Sequence, residues 1–397
     1  MVRRGSDGIH LYEIKSATRI TKEALWDAAF QAMVAGSLGI EIISTNVVHI
    51  NGDYVRNGEV DADLLFIVAD VTEQVEALLP EVRAAVAEIT ALLTRPQIDE
   101  MGCECRFKGS IANRCQGFEH FNPDIVGITA HHLPRISRAR LIALDQEGRL
   151  AIDRVRGDEV TATQGKVLAA LQTREVQADA AGISEFLAGL VFPLSFYDYE
   201  TFGSAIPIAN GHSPHRQMPV QFSLHVLHED GRIEHHEHLT TGPGEQADLV
   251  GSLEDALPAS GTVLAWNDAF EKGCNRALMA LLPGKAAFLE DINGRTRDLM
   301  VPFQKHLVHP GAEGSASIKK VLPAFSPSFT YPVDAVHDGA GAMVAWRTMV
   351  SSENPAIRDR LKRELLDYCR LDTEAMVELY RVLVGRMDGR SPTTSPR

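Results

Sequence analysis

Phe196-Tyr197-Asp198-Tyr199-Glu200-Thr201, closing an apolar run that begins at Leu194, is the stretch on which the reading of this chain turns. In a β-strand, residues two apart point to the same face, so Phe196, Asp198 and Glu200 share one face. The apolar residues before them suggest a central strand. Two carboxylates side by side on such a strand repel each other and resist burial. A divalent cation between them removes both objections. The plain alternative is a strand end that reaches solvent, and D-x-E alone does not decide between the two.

Two other places bear on that choice. Near the C-terminus, Leu361, Leu365, Tyr368, Asp372, Met376, Leu379 and Leu383 recur at spacings of three and four, which defines one helix face. A carboxylate thus stands in the middle of an otherwise apolar stripe, with Tyr368 one turn earlier. Such an Asp is either a partly exposed boundary residue or one held for its chemistry; mid-helix placement argues against capping. Between these two places, Val263–Ala265 reads as a short apolar strand leading into Asn267-Asp268, good N-cap chemistry, with Glu271 in the first turn of the helix that follows.

Outward from these points, strands are expected over 194–200, 220–227, 232–240 and 262–266, and helices over 247–257, 270–282 and 356–384. Three strands, a helix, a strand and then helices is the order of an α/β, RNase H-like mixed sheet with flanking helices. The N-terminal part reads as strand, helix (22–37) and strand (40–50), then a helix over 71–93. The organisation expected is a first domain over 1–125, a connector with two short helices over 126–190, an RNase H-like domain over 191–388 and a disordered tail over 389–397.

Together these motifs resemble the DEDD exonucleases of the tyrosine subclass. Asp198-Tyr199-Glu200 matches that family's first motif, and Tyr368-Cys369-Arg370-Leu371-Asp372 matches its third. Asn267-Asp268-Ala269-Phe270-Glu271 stands for the second, with Glu271 where the family has Asp and Asp268 as a substitute. More narrowly, Asp298-Leu299-Met300, Gly314–Pro323 and Tyr368–Met376 are similar to a bacterial family of otherwise uncharacterised proteins that joins a RecB-like PD-(D/E)xK nuclease region to such an exonuclease domain. The resemblance implies a 3′–5′ exonuclease acting on single-stranded DNA or RNA. Asp198, Glu200, Glu271 and Asp372 would hold two Mg²⁺ or Mn²⁺ ions ~4 Å apart. Tyr368 would orient the attacking water, while Asn267 and Lys319 would contact substrate. The alternatives are a non-catalytic nucleic-acid-binding scaffold with decayed nuclease domains, and a two-metal phosphoesterase acting on short oligonucleotides.

In the first domain, Glu13-Ile14-Lys15 on a strand and Gln31 on the next helix resemble the end of the PD-(D/E)xK motif. No strand-borne Asp precedes them, only Asp7 in a turn-like Gly-Ser-Asp-Gly, so the domain reads as truncated and its motif as vestigial. Cys103, Cys105 and Cys115 are three thiol ligands, one short of an ordinary site. An iron–sulfur cluster is therefore not expected; a vestigial loop is favoured, and His120 is the one candidate for a fourth zinc ligand. The His235-His236-Glu237-His238 run reads as decoration of an exposed edge strand.

Composition narrows the class without choosing the function. The 397 residues are 45% hydrophobic and 23% charged, as in ordinary globular proteins. The longest apolar run, near 186–196, is too short to span a bilayer, and the N-terminus lacks the apolar core of a signal peptide. Five thinly spread cysteines make no disulfide framework. A cytoplasmic protein is expected. The net charge of −14 disfavours non-specific binding to long duplexes but suits a site that collects carboxylates around cations.

Overall fold

The computed structural model describes residues 1–97, 103–109, 114–330, 336 and 338–387; the tail over 389–397 lies outside the described residues. The chain divides into two units, Met1–Asp99 with Gly203–Met218, and Glu100–Phe202 with Pro219–Arg397. Where a first domain over 1–125 is expected, the contacts group Met1–Asp99 with Gly203–Met218 and leave the cysteine loop in the other unit. The segment over 126–190 carries a core of its own, in which Leu133, Leu141, Leu144, Leu168 and Leu171 pack together.

Unit 1 contains β1 (Val2–Arg4), β2 (Ile9–Ile14), α1 (Lys22–Ser37), β3 (Ile42–Ile50), α2 (Ala62–Leu65), β4 (Phe66–Asp70) and α3 (Thr72–Leu93). Thr21 starts α1 by accepting a hydrogen bond from the Ala24 amide at 3.2 Å. Ala24, Ala28 and Ala29 then present a small-residue face, which packs with Val47 of β3 and Val75 and Val82 of α3. The sheet runs β1-β2-β3-β4, with β2 and β3 parallel and the two outer pairs antiparallel. The expected strand–helix–strand order is present. β1 and β4 were not expected, because both are largely exposed and carry no clean alternation. The 203–218 segment also belongs here: the Arg56 guanidinium donates to the Pro207 carbonyl at 3.0 Å, and the Gly58 amide to Asn210 Oδ1 at 2.8 Å.

Unit 2 begins with α4 (Phe118–Phe121), α5 (Arg138–Gln146), α6 (Ala162–Thr173), β5 (Gln177–Ala178) and α7 (Ala180–Ala188). Its main sheet is built from β6 (Leu194–Phe202), β7 (Met218–Leu227), β8 (Ile233–Leu239), β9 (Thr262–Ala265) and β10 (Thr296–Asp298). The helices α8 (Gln246–Ala256), α9 (Asp268–Leu281) and α10 (Ala286–Arg295) intervene, and α11 (Met300–Lys305), β11 (Leu307–Val308), α12 (Ile318–Phe325), α13 (Gly339–Ser351) and α14 (Pro355–Met387) follow. The result is a mixed α/β unit. The strand order is β10-β9-β6-β7-β8; β6 and β9 are parallel, as are β9 and β10, whereas β7 and β8 are antiparallel.

The strand bearing Asp198 and Glu200 is therefore central, and both its faces are covered. Phe196 lies against Tyr380 of α14, with ring centroids 5.8 Å apart. On the opposite face Tyr197 and Tyr199 reach Asn275 of α9: Tyr199 donates to Asn275 Oδ1 at 3.0 Å, and Asn275 Nδ2 donates to the Tyr197 hydroxyl at 3.1 Å. The stripe of α14 is buried as its spacing predicts, at Leu361, Leu365, Tyr368, Met376, Leu379 and Leu383. Burying an aliphatic side chain of this size contributes about 1.5–3 kcal/mol. Five of them, with Tyr368, readily hold one carboxylate, Asp372, at a half-buried position in their midst.

Candidate metal centre

Three elements distant in sequence bring acids to one place. β6 supplies Asp198, half-buried, and Glu200, buried. α14 supplies Asp372, and the first turn of α9 supplies Glu271, which is 2% exposed. Glu271 and Asp198 stand within hydrogen-bonding reach of each other, and Glu271 Oε2 is buried with no hydrogen-bond partner among the described residues.

The titration of these groups reports their crowding. Burial first, then the charge of Asp372, pushes the Asp198 carboxyl up to about 8. Burial and then Asp198 push Glu271 up to about 9. Glu200 is held well above the usual carboxylate range by burial and by Asp198 and Asp372. The Tyr368 hydroxyl is raised by burial and by Asp372, Glu200 and Asp198. Lys319 opposes the trend, lowering both Asp198 and Glu200. Its ammonium lies 3.1 Å from the Tyr368 hydroxyl and 4.8 Å from the ring centroid. Lys319 sits in the first turn of α12, just after Gly314. At Gly314 φ is +77°, and a Cβ would stand 1.8 Å from the His132 carbonyl oxygen, so only glycine lets the chain pass there.

Of the residues expected from sequence, Asp198, Glu200, Glu271, Tyr368, Asp372 and Lys319 are thus drawn into one electrostatic cluster. Asn267 stands at its edge, differently from expectation. It occupies the N-cap of α9, but its side chain makes no capping bond, because the backbone there is left-handed at φ +70°. The turn is held by Asp298 instead, whose Oδ1 accepts from the amides of Asn267 (3.0 Å) and Met300 (2.9 Å). Asp268, the substitute considered for Glu271, is engaged by Lys272 in an ion pair. The sequence reading missed Cys369. It lies inside the Tyr368–Asp372 motif, where helical spacing turns it toward β6, and its thiol donates to the carbonyl oxygen of Asp198 at 3.8 Å and to Asp198 Oδ2 at 3.7 Å.

The other candidate groups fall elsewhere. In unit 1, Glu13 is met by Lys15 at 2.8 Å and by the Gln31 amide, and Lys15 also pairs with Asp27. Asp27 and Glu13 raise the Lys15 ammonium. Asp7 is taken up by His10 at 2.9 Å. Cys103, Cys105 and Cys115, in the loop read as vestigial, bring their sulfurs within 4.8 Å of one another. All five cysteines are free thiols. The histidines of β8 are less exposed than expected, because helices cover both faces of this edge strand. His235 meets Ser223 at 3.0 Å and His238 meets Ser252 at 2.9 Å. A cavity of about 430 Å³, lined by Arg135, Gln164, Val167, Phe303, Lys305 and Phe325 among others, takes in none of the clustered acids.

A family model described as a domain of unknown function (DUF2779) matches residues 195–317, a span that includes Asp198, Glu200, Asn267 and Glu271 but ends before Lys319, Tyr368 and Asp372. No curated protein and no solved structure matches the chain. No described helix is long and apolar enough to cross a membrane.

Proposed function

We propose that unit 2 is an RNase H-like, DEDD-type 3′–5′ exonuclease that hydrolyses phosphodiesters of single-stranded nucleic acid with divalent cations. One observation carries this reading. Four carboxylates from β6, α9 and α14 are gathered where burial and mutual repulsion hold three of them far from their ordinary ionisation, and one buried oxygen of Glu271 meets no partner among the described residues. A fold does not collect uncompensated buried acids for stability, since each costs several kcal/mol unless a counter-charge is provided. An all-carboxylate oxygen set suits Mg²⁺ or Mn²⁺. The strand order supports the same reading: counted within unit 2 from β6, it is 3-2-1-4-5 with the acidic strand at the centre.

Asp198, Glu200, Glu271 and Asp372 would hold the ions, which when bound supply positive charge against the phosphodiester and its leaving oxygen. Tyr368 orients the attacking water through its hydroxyl; raised by burial and the nearby acids, that group stays protonated and donates rather than abstracts a proton. Lys319, beside the same hydroxyl, places a fixed cation for a substrate phosphate. Asn267 lies exposed at the start of α9, where a substrate group can reach it.

The test is cleavage of end-labelled single-stranded DNA and RNA by the full chain, with Mg²⁺, with Mn²⁺ and with chelator. Metal-dependent, progressive shortening from the 3′ end is expected, and it should vanish in Asp372→Asn. A chain that neither cleaves nor gains thermal stability from Mn²⁺ returns the case to a non-catalytic scaffold. Cleavage confined to oligomers of a few nucleotides would favour the phosphoesterase reading instead.

A further inference from the structure

Cys369 is fully buried, yet it is not packed simply as a small apolar residue. Its sulfur lies 3.7 Å from Asp198 Oδ2, and donor atoms of Asp198, Glu200 and Cys369 all fall within 4.8 Å of one another. Tetrahedral ligation with about 2.3 Å to sulfur and about 2.1 Å to oxygen sets a sulfur and an oxygen donor about 3.6 Å apart. The 3.7 Å hydrogen-bond contact seen here therefore already sets the two atoms at the separation that ligands of one ion adopt. A second observation points the same way. Glu271, buried and within hydrogen-bonding reach of Asp198, keeps an oxygen that meets no hydrogen-bond partner among the described residues, so an unanswered buried carboxylate stands beside one member of this group.

Resting on the metal-centre reading above, we propose that Cys369 is a further metal ligand, which makes this centre bind thiophilic divalent ions, Zn²⁺ and Cd²⁺, through its sulfur together with Asp198 and Glu200. A hard Mg²⁺ ion gains nothing from sulfur, whereas Zn²⁺ and Cd²⁺ do, so the thiol separates the two classes of ion at one site. On binding, the sulfur forms its bond to the ion and releases its proton to solvent; nothing is oxidised or reduced. Occupation by Zn²⁺ also ties up both carboxylates of the D-x-E strand, so Zn²⁺ competes with Mn²⁺ and suppresses cleavage.

Co²⁺ reads the bond directly, because a thiolate ligand gives a near-ultraviolet charge-transfer band that oxygen ligands do not. The full chain with Cys103, Cys105 and Cys115 all replaced by Ser is titrated with Co²⁺, following absorbance and calorimetric binding together. The band should appear, persist in Cys274→Ser and disappear in Cys369→Ser and Cys369→Ala. Zn²⁺ should bind the Cys369 variants at least about tenfold more weakly, as loss of a ligand costs no less than loss of an outer partner. The difference spectrum between wild type and Asp198→Asn, with the native cysteines in place, gives the same readout should the substituted loop fold poorly. Co²⁺ that binds the parent chain without the band, or Zn²⁺ affinity unchanged in Cys369→Ser, overturns the proposal and leaves the oxygen-ligand centre standing. Absence of any Co²⁺ or Mn²⁺ binding overturns both.

Discussion

Each unit of this protein carries acids on a strand and the helices against it, and the two sets are resolved differently. In unit 1, Glu13 is answered by Lys15 and by the Gln31 amide, and Asp27 by Lys15 in turn. That group sets two carboxylates against one shared ammonium and an amide, half open to solvent, so its one net negative charge is exposed to water. In unit 2, Asp198, Glu200 and Glu271 are pushed upward by burial and by one another, and Lys319 relieves them only in part. The first arrangement is stable as it stands; the second gains most from an added cation. The two sets of acids therefore differ in how far the chain itself answers their charges.

The strongest way to break this contrast is Asp372→Asn. Losing a ligand that contributes several kcal/mol of charge stabilisation should lower metal-dependent cleavage by ~10³-fold or more. The same variant should melt higher than wild type when no metal is added, because a half-buried like charge is relieved, and it should gain less from Mn²⁺. Cleavage at the wild-type rate would remove Asp372 from the centre.

Tyr368→Phe probes orientation rather than charge. Cleavage should slow by about 10²-fold, with Mn²⁺ affinity by calorimetry unchanged. A matching loss of Mn²⁺ affinity would make Tyr368 part of the ion's support and contradict the role given to it.

A smaller effect sharpens the electrostatic side. Burial and Asp372 push the Asp198 carboxyl up to about 8 in the folded chain, against an ordinary value of 3.8, so between those pH values the native state holds a proton that the unfolded chain has lost. Stability should then fall as pH rises from about 4 to 8, the reverse of an ordinary paired carboxylate. Thermal melts at pH 5 and pH 8 check the sign. Saturating Mn²⁺ should flatten the slope, and Asp198→Asn should reduce it without metal. A metal-free melting temperature that climbs over this interval would show that the cluster is not crowded as described.

The least effect is expected in unit 1. Lys15→Met removes two partly exposed ion pairs and should cost less than about 1 kcal/mol of stability in a denaturant titration. Mn²⁺-dependent cleavage should change by less than about twofold, within the range of an exposed surface change. A tenfold loss of cleavage would place chemistry in unit 1 and dissolve the contrast between the two sets of acids.

The amino-acid sequence by itself determined the elements that carry the candidate centre. Period-two and period-3.6 patterns placed the strand at Leu194, the helices near Ala247 and Phe270 and the long last helix, all within a few residues of where they lie. The stripe from Leu361 to Leu383 singled out Asp372, because a charge in an apolar repeat is visible without coordinates. Elements with weak or exposed patterns were not legible: β1, β4, β10, α10, α11 and α12 are short, half-polar, or both, and α13 opens on glycines and alanines that show no clear period. Only tertiary structure decided which acid of Asp268 and Glu271 joins the cluster, because that depends on which one Lys272 occupies and which one α9 turns inward. It also decided the standing of Cys369, one residue beyond Tyr368. In sequence it is an unremarked member of a helix. Packing α14 against β6 sets its sulfur beside Asp198, a distance that no spacing along one chain encodes.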